Sequence, residues 1–315
     1  MVSHRGVGER FALPEQRIMP TQLYQELLHA VSARLTTLPD KPEETPEGIV
    51  MSLWHLAAGS PMSLQHADQV ALPRLDDAAA ARLRELVARR LSGVPLAHLT
   101  GRQQFMGLEL LADRRALIPR RETELLGQSA LTLLRDLATR HDQPTVIDVC
   151  TGSGNLAVAL AYYVPQARLF ASDLSPDAVE LAKRNVLHLG LEKRVEVRVG
   201  DLLEPFDRPS FHGMVDLITC NPPYILSRNV DGLPKEISDH EPRSAFDGGP
   251  FGVKIMNRFI REAPKFLRRG GWIAFEVGLG QGAAILKRFD GHADYREALP
   301  ITDDSGNIRG TMARV

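Results

Sequence analysis

The sequence predicts an α/β protein: a mostly parallel sheet with helices on both faces, preceded by a small helical domain and joined to it by a β-hairpin. Three observations lead there. From residue 145 onward, short apolar runs alternate with longer amphipathic ones, the grammar of strand, turn and helix. Before residue 93, apolar residues recur at helical spacing. Between the two, residues 93–119 change to short extended pieces around a glycine.

At 315 residues, 43% hydrophobic and 24% charged, the chain suits one large domain and a smaller one. That composition excludes a disordered, collagenous or disulfide-scaffolded protein. The net charge is −1, with 11 basic and 12 acidic side chains through residue 111 and 27 of each beyond it. Neither part is a basic module, so direct nucleic-acid binding is not expected. No apolar run approaches the roughly 18 residues that a membrane span needs. Residues 1–20 mix Arg, Glu, Gly and Pro without an apolar core, so they read as a flexible arm rather than a secretory signal. A cytoplasmic location follows, in which Cys150 and Cys220 stay reduced and serve as small apolar packing.

Each element has its own signature. Leu23, Leu27, Leu28, Val31 and Leu35 make residues 21–38 helical. Three prolines and a glycine break the pattern over residues 39–48. Helices are predicted over residues 49–58 and 76–91, the latter capped at Asp76 or Asp77. QQFMGLELL and ALIP form the hairpin region, and a helix covers residues 122–140. The strands are TVIDVC, RLFASD, VEVRVGD, VDLITCN and GWIAFEVG. Helices open at SGNLAVALAYYV and PDAVELAKRNVLHLG, and FGVKIMNRFIREAPKFL reads as helical despite Pro264. The parts are residues 1–20 (arm), 21–92 (helical domain), 93–121 (linker) and 122–315 (α/β domain).

Parallel sheets bind ligands beyond the carboxyl ends of their strands, where strand order reverses. The first strand is followed by CTGSGN, in which Gly152 and Gly154 permit a tight turn and close ligand approach. Gly-x-Gly alone is a weak signal. The second strand ends in Asp173, placed to bond ribose hydroxyls, and Asp201 follows the third. Each acid singly is also explained as a helix cap; together they favour an adenosine-containing ligand. The fourth strand ends in NPPY, residues 221–224. The Asn221 side-chain oxygen and the Pro222 carbonyl are two adjacent acceptors suited to a planar NH₂ group. Pro222 and Pro223 stiffen the backbone, and Tyr224 offers a flat face for stacking.

With these residues the sequence resembles the S-adenosylmethionine-dependent methyltransferases, which share the glycine loop and an [N/D]PPY loop. Residues 93–126 and 240–282 narrow the resemblance to the protein glutamine N5-methyltransferases that act on peptide chain release factors. It covers roughly residues 93–315. It implies a Rossmann-like class I methyltransferase domain with a seven-stranded sheet and a helical N-terminal domain that recognises substrate. It also implies S-adenosylmethionine as donor, S-adenosylhomocysteine as product, and no metal. Matched by position, cofactor contacts fall on Cys150, Thr151, Gly152, Ser153, Gly154, Asp173, Asp201, Leu202 and Asn221. The acceptor amide falls to Asn221, Pro222, Pro223 and Tyr224, with Arg120, Arg121, Glu122, Thr123, Glu241 and Arg243 lining or bracing its pocket. Asn221, Pro222 and Tyr224 are the expected catalytic residues.

One departure stands out. The family pattern Ile-Pro-Arg-Pro-[Glu/Asp]-Thr-Glu carries Arg121 here in place of its second proline. A guanidinium there leaves a small amide or guanidino acceptor, such as free arginine or glutamine, as the alternative to a release factor. An adenine N6-methyltransferase fits the charge balance less well, and an intact NPPY with Asp173 argues against a non-catalytic binder.

Overall fold

The computed structural model describes residues 22–38 and 40–315. The arm expected over residues 1–20 lies outside them. Helix α1 (Gln22–Arg34) buries Leu27 and Val31. Helix α2 (Pro46–Ala57) starts three residues before the predicted position, because the Thr45 side chain accepts the Gly48 N–H and Pro46 suits the first turn. After a short α3 (Leu64–Ala67), helix α4 (Asp77–Leu91) is capped by Asp76, which accepts the Ala79 N–H at 2.7 Å. Helix α5 (Leu96–Thr100) occupies the start of the segment expected to be an extended linker, and its Leu96 packs into the helical core. Ile49, Leu53, Trp54, Leu83 and Val87 form the core of this helical part.

The linker is the predicted hairpin: β1 (Arg102–Phe105) pairs antiparallel with β2 (Leu108–Leu111). Met106 and Gly107 both have positive φ (49° and 80°), the two-residue turn whose twist matches paired strands.

The α/β part runs α6 (Thr123–Ala138), β3 (Thr145–Val149), α7 (Asn155–Tyr163), β4 (Arg168–Asp173), α8 (Pro176–His188), β5 (Val195–Val199) and β6 (Val215–Cys220). It continues through α9 (Ser227–Val230), α10 (Lys235–Ser238), α11 (Lys254–Glu262), β7 (Leu267–Glu276), α12 (Gly282–Leu286), β8 (Glu297–Thr302) and β9 (Ile308–Arg314). Strand order is β5-β4-β3-β6-β7-β9-β8, with β9 alone antiparallel to both neighbours. This is the seven-stranded, mostly parallel sheet implied by the resemblance. Its last two strands were not read from the pattern. Helix α11 is shorter than predicted: it ends at Glu262, and a 3₁₀ turn takes over at residues 263–265, where Pro264 cannot continue the α-helical bonds.

Leu126, Leu134, Leu156 and Leu160 pack one face of the sheet, and Phe206, Phe259, Phe275 and Ile285 the other. Strand order reverses between β3 and β6, whose ends align at Val149 and Cys220. A crevice at these ends is where such a fold binds ligands.

Buried ion pairs tie the helical part to the segment after β6. Glu236 accepts from Lys41 and from Arg90, each at 2.8 Å, and Arg90 also holds Glu44 at 2.7 Å. Arg120 joins Asp40 at 3.0 Å to Glu241 at 2.6 Å.

Candidate functional site

A cavity of about 230 Å³ opens at the carboxyl ends of β3, β4 and β6. One side is built by the turn after β3. Cys150, Gly152 and Gly154 all have positive φ there, which brings the chain round into α7. Asp148 lies beneath that turn, fully buried, and accepts the Thr151 hydroxyl at 2.5 Å and the Thr219 hydroxyl at 2.6 Å. Burial pushes its carboxyl up to about 6. Asp173 accepts the Gly152 N–H and the Ser175 N–H, each at 2.9 Å, and burial raises its pKa as well. Asp173 therefore shapes the glycine turn while presenting its remaining lone pairs to the cavity it lines.

Residues 150–153, Asp173, Asp201, Leu202, Asn221, Pro223, Arg120 and Thr123 line the cavity, so most of the predicted site residues converge. Others do not reach it. Gly154 forms the turn behind the lining, where an added Cβ would press on Ala182 at 3.1 Å. Pro222 is buried outside the lining. Tyr224 is not part of the lining. Its hydroxyl donates to Glu276 at 2.8 Å, and Gln281 Nε2 donates to its main-chain carbonyl at 3.1 Å. Gly252 passes so close to this loop that a Cβ would sit 2.4 Å from the Tyr224 oxygen.

Glu241 braces rather than lines: it is buried, paired with Arg120, and accepts the Ile118 N–H at 2.9 Å. Arg120 is itself fully engaged by Asp40, Glu241 and the Ile118 carbonyl. Arg121 is exposed outside the lining, and Glu122 pairs with Arg309 at 2.8 Å. Arg243 is also exposed and holds Asp231 and Asp247. Asp201 lines the cavity while bonded to Arg258.

Three residues absent from the sequence-based set organise this geometry. Asp148 is one. Asn185 of α8 is fully buried; its Oδ1 accepts the Leu111 N–H at 2.7 Å, and its Nδ2 donates to the Leu111 and Ser153 carbonyls at 3.1 and 2.9 Å. It thus clamps the hairpin to the glycine turn. The third is Glu276, buried at the end of β7, whose carboxyl is pushed up to about 7 chiefly by burial. Asn221 Nδ2 donates to Thr123 Oγ1 at 3.1 Å, which leaves its Oδ1 as an acceptor for something in the cavity. Cys150 and Cys220 are free thiols at neighbouring strand ends; Cys220 is buried against Cys150, and burial raises its pKa. Among the described residues no cluster of three or more His, Cys, Asp or Glu is arranged to hold a metal ion, and no helix is long and apolar enough to cross a membrane.

Residues 125–234 match the family of the Methyltransferase small domain, and residues 62–101 match the PrmC N-terminal domain. The release factor glutamine methyltransferase of Moorella thermoacetica is 38% identical over 226 residues, spanning 71% of this chain and 76% of that protein. The protein of the same name from Streptomyces coelicolor is 36% identical, over 72% of this chain and 78% of its own. Among solved structures, the hMettl16 catalytic domain in complex with a MAT2A 3′UTR hairpin superposes with a TM-score of 0.50 at 18% identity. That match covers 73% of this chain and 81% of that one, and it shows a shared fold.

Proposed function

Because this chain belongs to the release factor glutamine methyltransferase family, we propose that it transfers a methyl group from S-adenosylmethionine to the side-chain N5 of the glutamine in a release factor's Gly-Gly-Gln loop. The observation that carries this reading is Asn221. It stands at the end of β6 beside the glycine turn of β3, with its NH₂ tied to Thr123 and its oxygen left to accept.

The cavity residues fit the donor. Asp173 offers carboxylate lone pairs for vicinal hydroxyls, and the buried Ser153 hydroxyl in the wall has no hydrogen-bond partner among the described residues. Leu174, 68% exposed at the rim, and the buried Leu202 supply apolar surface for a flat base. When bound, S-adenosylmethionine supplies an electrophilic methyl on a sulfonium sulfur. The chain's part is to position the acceptor. An amide nitrogen is a poor nucleophile because its lone pair is delocalised into the carbonyl. Asn221 Oδ1 would accept one of its N–H bonds, polarise it, and orient the nitrogen toward the glycine turn, while Pro222, buried behind the lining, stiffens the loop that presents Asn221. Positioning and fixed dipoles of this kind account for large parts of enzymatic rate enhancement.

In this reading residues 21–92 recognise substrate, residues 93–121 link, and residues 122–315 carry the chemistry, in the cytoplasm. Tyr224 serves as a strut for the loop instead of a stacking platform. A small guanidino or amide acceptor has no support from Arg121, which lies exposed away from the cavity. The test is to incubate the enzyme with S-adenosylmethionine and a bacterial release factor and to measure intact and peptide masses. One added methyl on the Gly-Gly-Gln glutamine is expected. Transfer to free arginine or glutamine with none to the release factor would overturn the reading.

A further inference from the structure

The 221–224 loop has few handles of its own. Pro222 and Pro223 carry no N–H, so in this stretch only Asn221 and Tyr224 can donate from the main chain. The sheet fixes its entrance, where Cys220 pairs with Val149 and with Phe275. More distant segments fix its exit. The Ile225 N–H donates to the Phe246 carbonyl at 2.9 Å, and the Ile225 carbonyl accepts the Gly248 N–H at 2.8 Å. Between these anchorages the Tyr224 carbonyl accepts from Gln281 Nε2 at 3.1 Å.

Gln281 reaches that carbonyl from a turn that aims it. Residues 278–281 follow β7 and close on themselves. The Gln281 N–H donates to the Gly278 carbonyl at 2.9 Å, and the Gly278 N–H donates back to Gln281 Oε1 at 2.9 Å. An N–H needs an acceptor and a carbonyl needs a donor, so a single orientation of the side-chain amide satisfies both partners. Its oxygen is spent on Gly278, and its NH₂ faces Tyr224. Glycines keep the way clear on both sides. A Cβ on Gly278 would stand 2.9 Å from Gln281 Oε1 and 3.0 Å from Tyr224 Cδ2, and one on Gly252 would stand 2.9 Å from Gln281 Nε2. Behind Gln281, α12 lies against β9 so closely that a Cβ on Gly282 would meet Ile308 at 2.4 Å.

Resting on the amide-acceptor reading above, we propose that Gln281 is a positioning residue for methyl transfer: its NH₂ latches the end of the 221–224 loop to the turn after β7 and so holds Asn221 in place beside the glycine turn. Gln281 lies outside the cavity lining, so it acts through the loop and touches neither donor nor acceptor. Two consecutive prolines separate Tyr224 from Asn221, and their fixed φ angles transmit a shift at Tyr224 instead of absorbing it. Loss of the latch therefore moves the Asn221 oxygen and leaves the glycine turn, where the cofactor binds, as it was.

The test compares the wild-type full chain with Gln281→Glu and Gln281→Met, using a release factor as substrate. It measures kcat and KM and, separately, affinity for S-adenosylhomocysteine. Glutamate can still accept the Gly278 N–H but turns an oxygen toward the Tyr224 carbonyl; methionine keeps the length of the side chain and makes neither bond. Both variants are expected to lower kcat by about 10- to 100-fold, the scale on which a displacement of about 1 Å acts, with product affinity unchanged. Wild-type kcat in Gln281→Glu would overturn the proposal, because Gln281 would then serve only its own turn. A fall in product affinity as large as the fall in kcat would overturn it too, because the damage would then be general. If neither variant folds, the ¹⁵N-labelled wild type decides. The Gln281 side-chain NH₂ should exchange with water more slowly than that of the exposed Gln128, and equal rates would sink the latch. If the wild type transfers no methyl to a release factor, the proposed function fails separately, and the ligand-free chain settles this point. The Asn221 side-chain amide resonances should move in Gln281→Glu, and unmoved resonances would count against the proposal decisively.

Discussion

Replacing Asn185 with alanine should damage the fold and the cofactor turn together. The side chain makes three hydrogen bonds from a fully buried position, two to Leu111 and one to the Ser153 carbonyl. Alanine cannot replace any of them, and no route for water is evident at a site of zero exposure. Each lost bond costs about 1 kcal/mol, and leaving the dry Ser153 carbonyl unpaired adds about 1–2 kcal/mol, for a total of about 4–5 kcal/mol. That is a large share of the roughly 5–15 kcal/mol that holds a typical domain. Urea denaturation would measure it as a shifted midpoint at unchanged slope. Calorimetry with S-adenosylhomocysteine would show weaker binding, because Ser153 lies in the cavity wall. Asn185→Asp probes the same site by charge. It aims a buried anion at two carbonyls, so its folded pKa should lie above its unfolded value. The variant's stability should then be best at low pH and decline as pH rises. A loss below about 1 kcal/mol in Asn185→Ala, smaller than one ordinary buried hydrogen bond, would refute the clamp.

Three further outcomes follow from the same geometry. Asn221→Ala should cut turnover by about 10²-fold or more, as loss of a positioning dipole does, while S-adenosylhomocysteine still binds; near-normal turnover would remove Asn221 from the acceptor site. Asp173→Ala should weaken cofactor affinity and loosen the glycine turn, since it deprives the Gly152 and Ser175 N–H groups of their acceptor; an unchanged calorimetric affinity would take Asp173 out of the binding site. Asp148 has a folded pKa of about 6 against an ordinary 3.8, so its contribution to stability is complete below the unfolded value and is lost as pH rises through about 6. A shift of this size corresponds to about 3 kcal/mol. The stability of Asp148→Asn relative to wild type should therefore climb between acid and neutral pH, and a difference that stays flat in thermal unfolding would contradict the assignment.

The parallel strands were legible because strands buried on both faces read as continuous apolar runs, as TVIDVC and VDLITCN do. Strands β8 and β9 were not. EALPIT is largely exposed at the sheet edge and contains a proline, and IRGTMAR interleaves charged and small residues, so neither carries an apolar run. The glycine turn and the 221–224 loop were readable because each is contiguous and sits directly after a strand. Asp148 and Glu276 come to the site through strand pairing, such as Asp148 with Thr219 and Cys220 with Phe275, and Asn185 reaches the glycine turn from α8, which no local pattern in the sequence announces. The one available signal for Glu276 was a lone acid closing the apolar run GWIAFE. For Tyr224 the sequence shows a ring beside the acceptor, but not the carboxylate of Glu276 that accepts its hydroxyl.

The buried ion pairs between the helical part and the segment after β6 bear on how such proteins can be recombined. Lys41, Glu44 and Arg90 on one side and Glu236 on the other share a single charge balance, and Asp40, Arg120 and Glu241 share a second. A chimera that takes its first hundred residues from one homologue and the remainder from another would split both balances. Unless the donor matched at residues 40, 41, 44 and 90, the graft would strand buried charges at the seam, at a cost of several kcal/mol each. The helical part is therefore not a detachable module in this architecture: an exchanged front end has to bring its counterions with it.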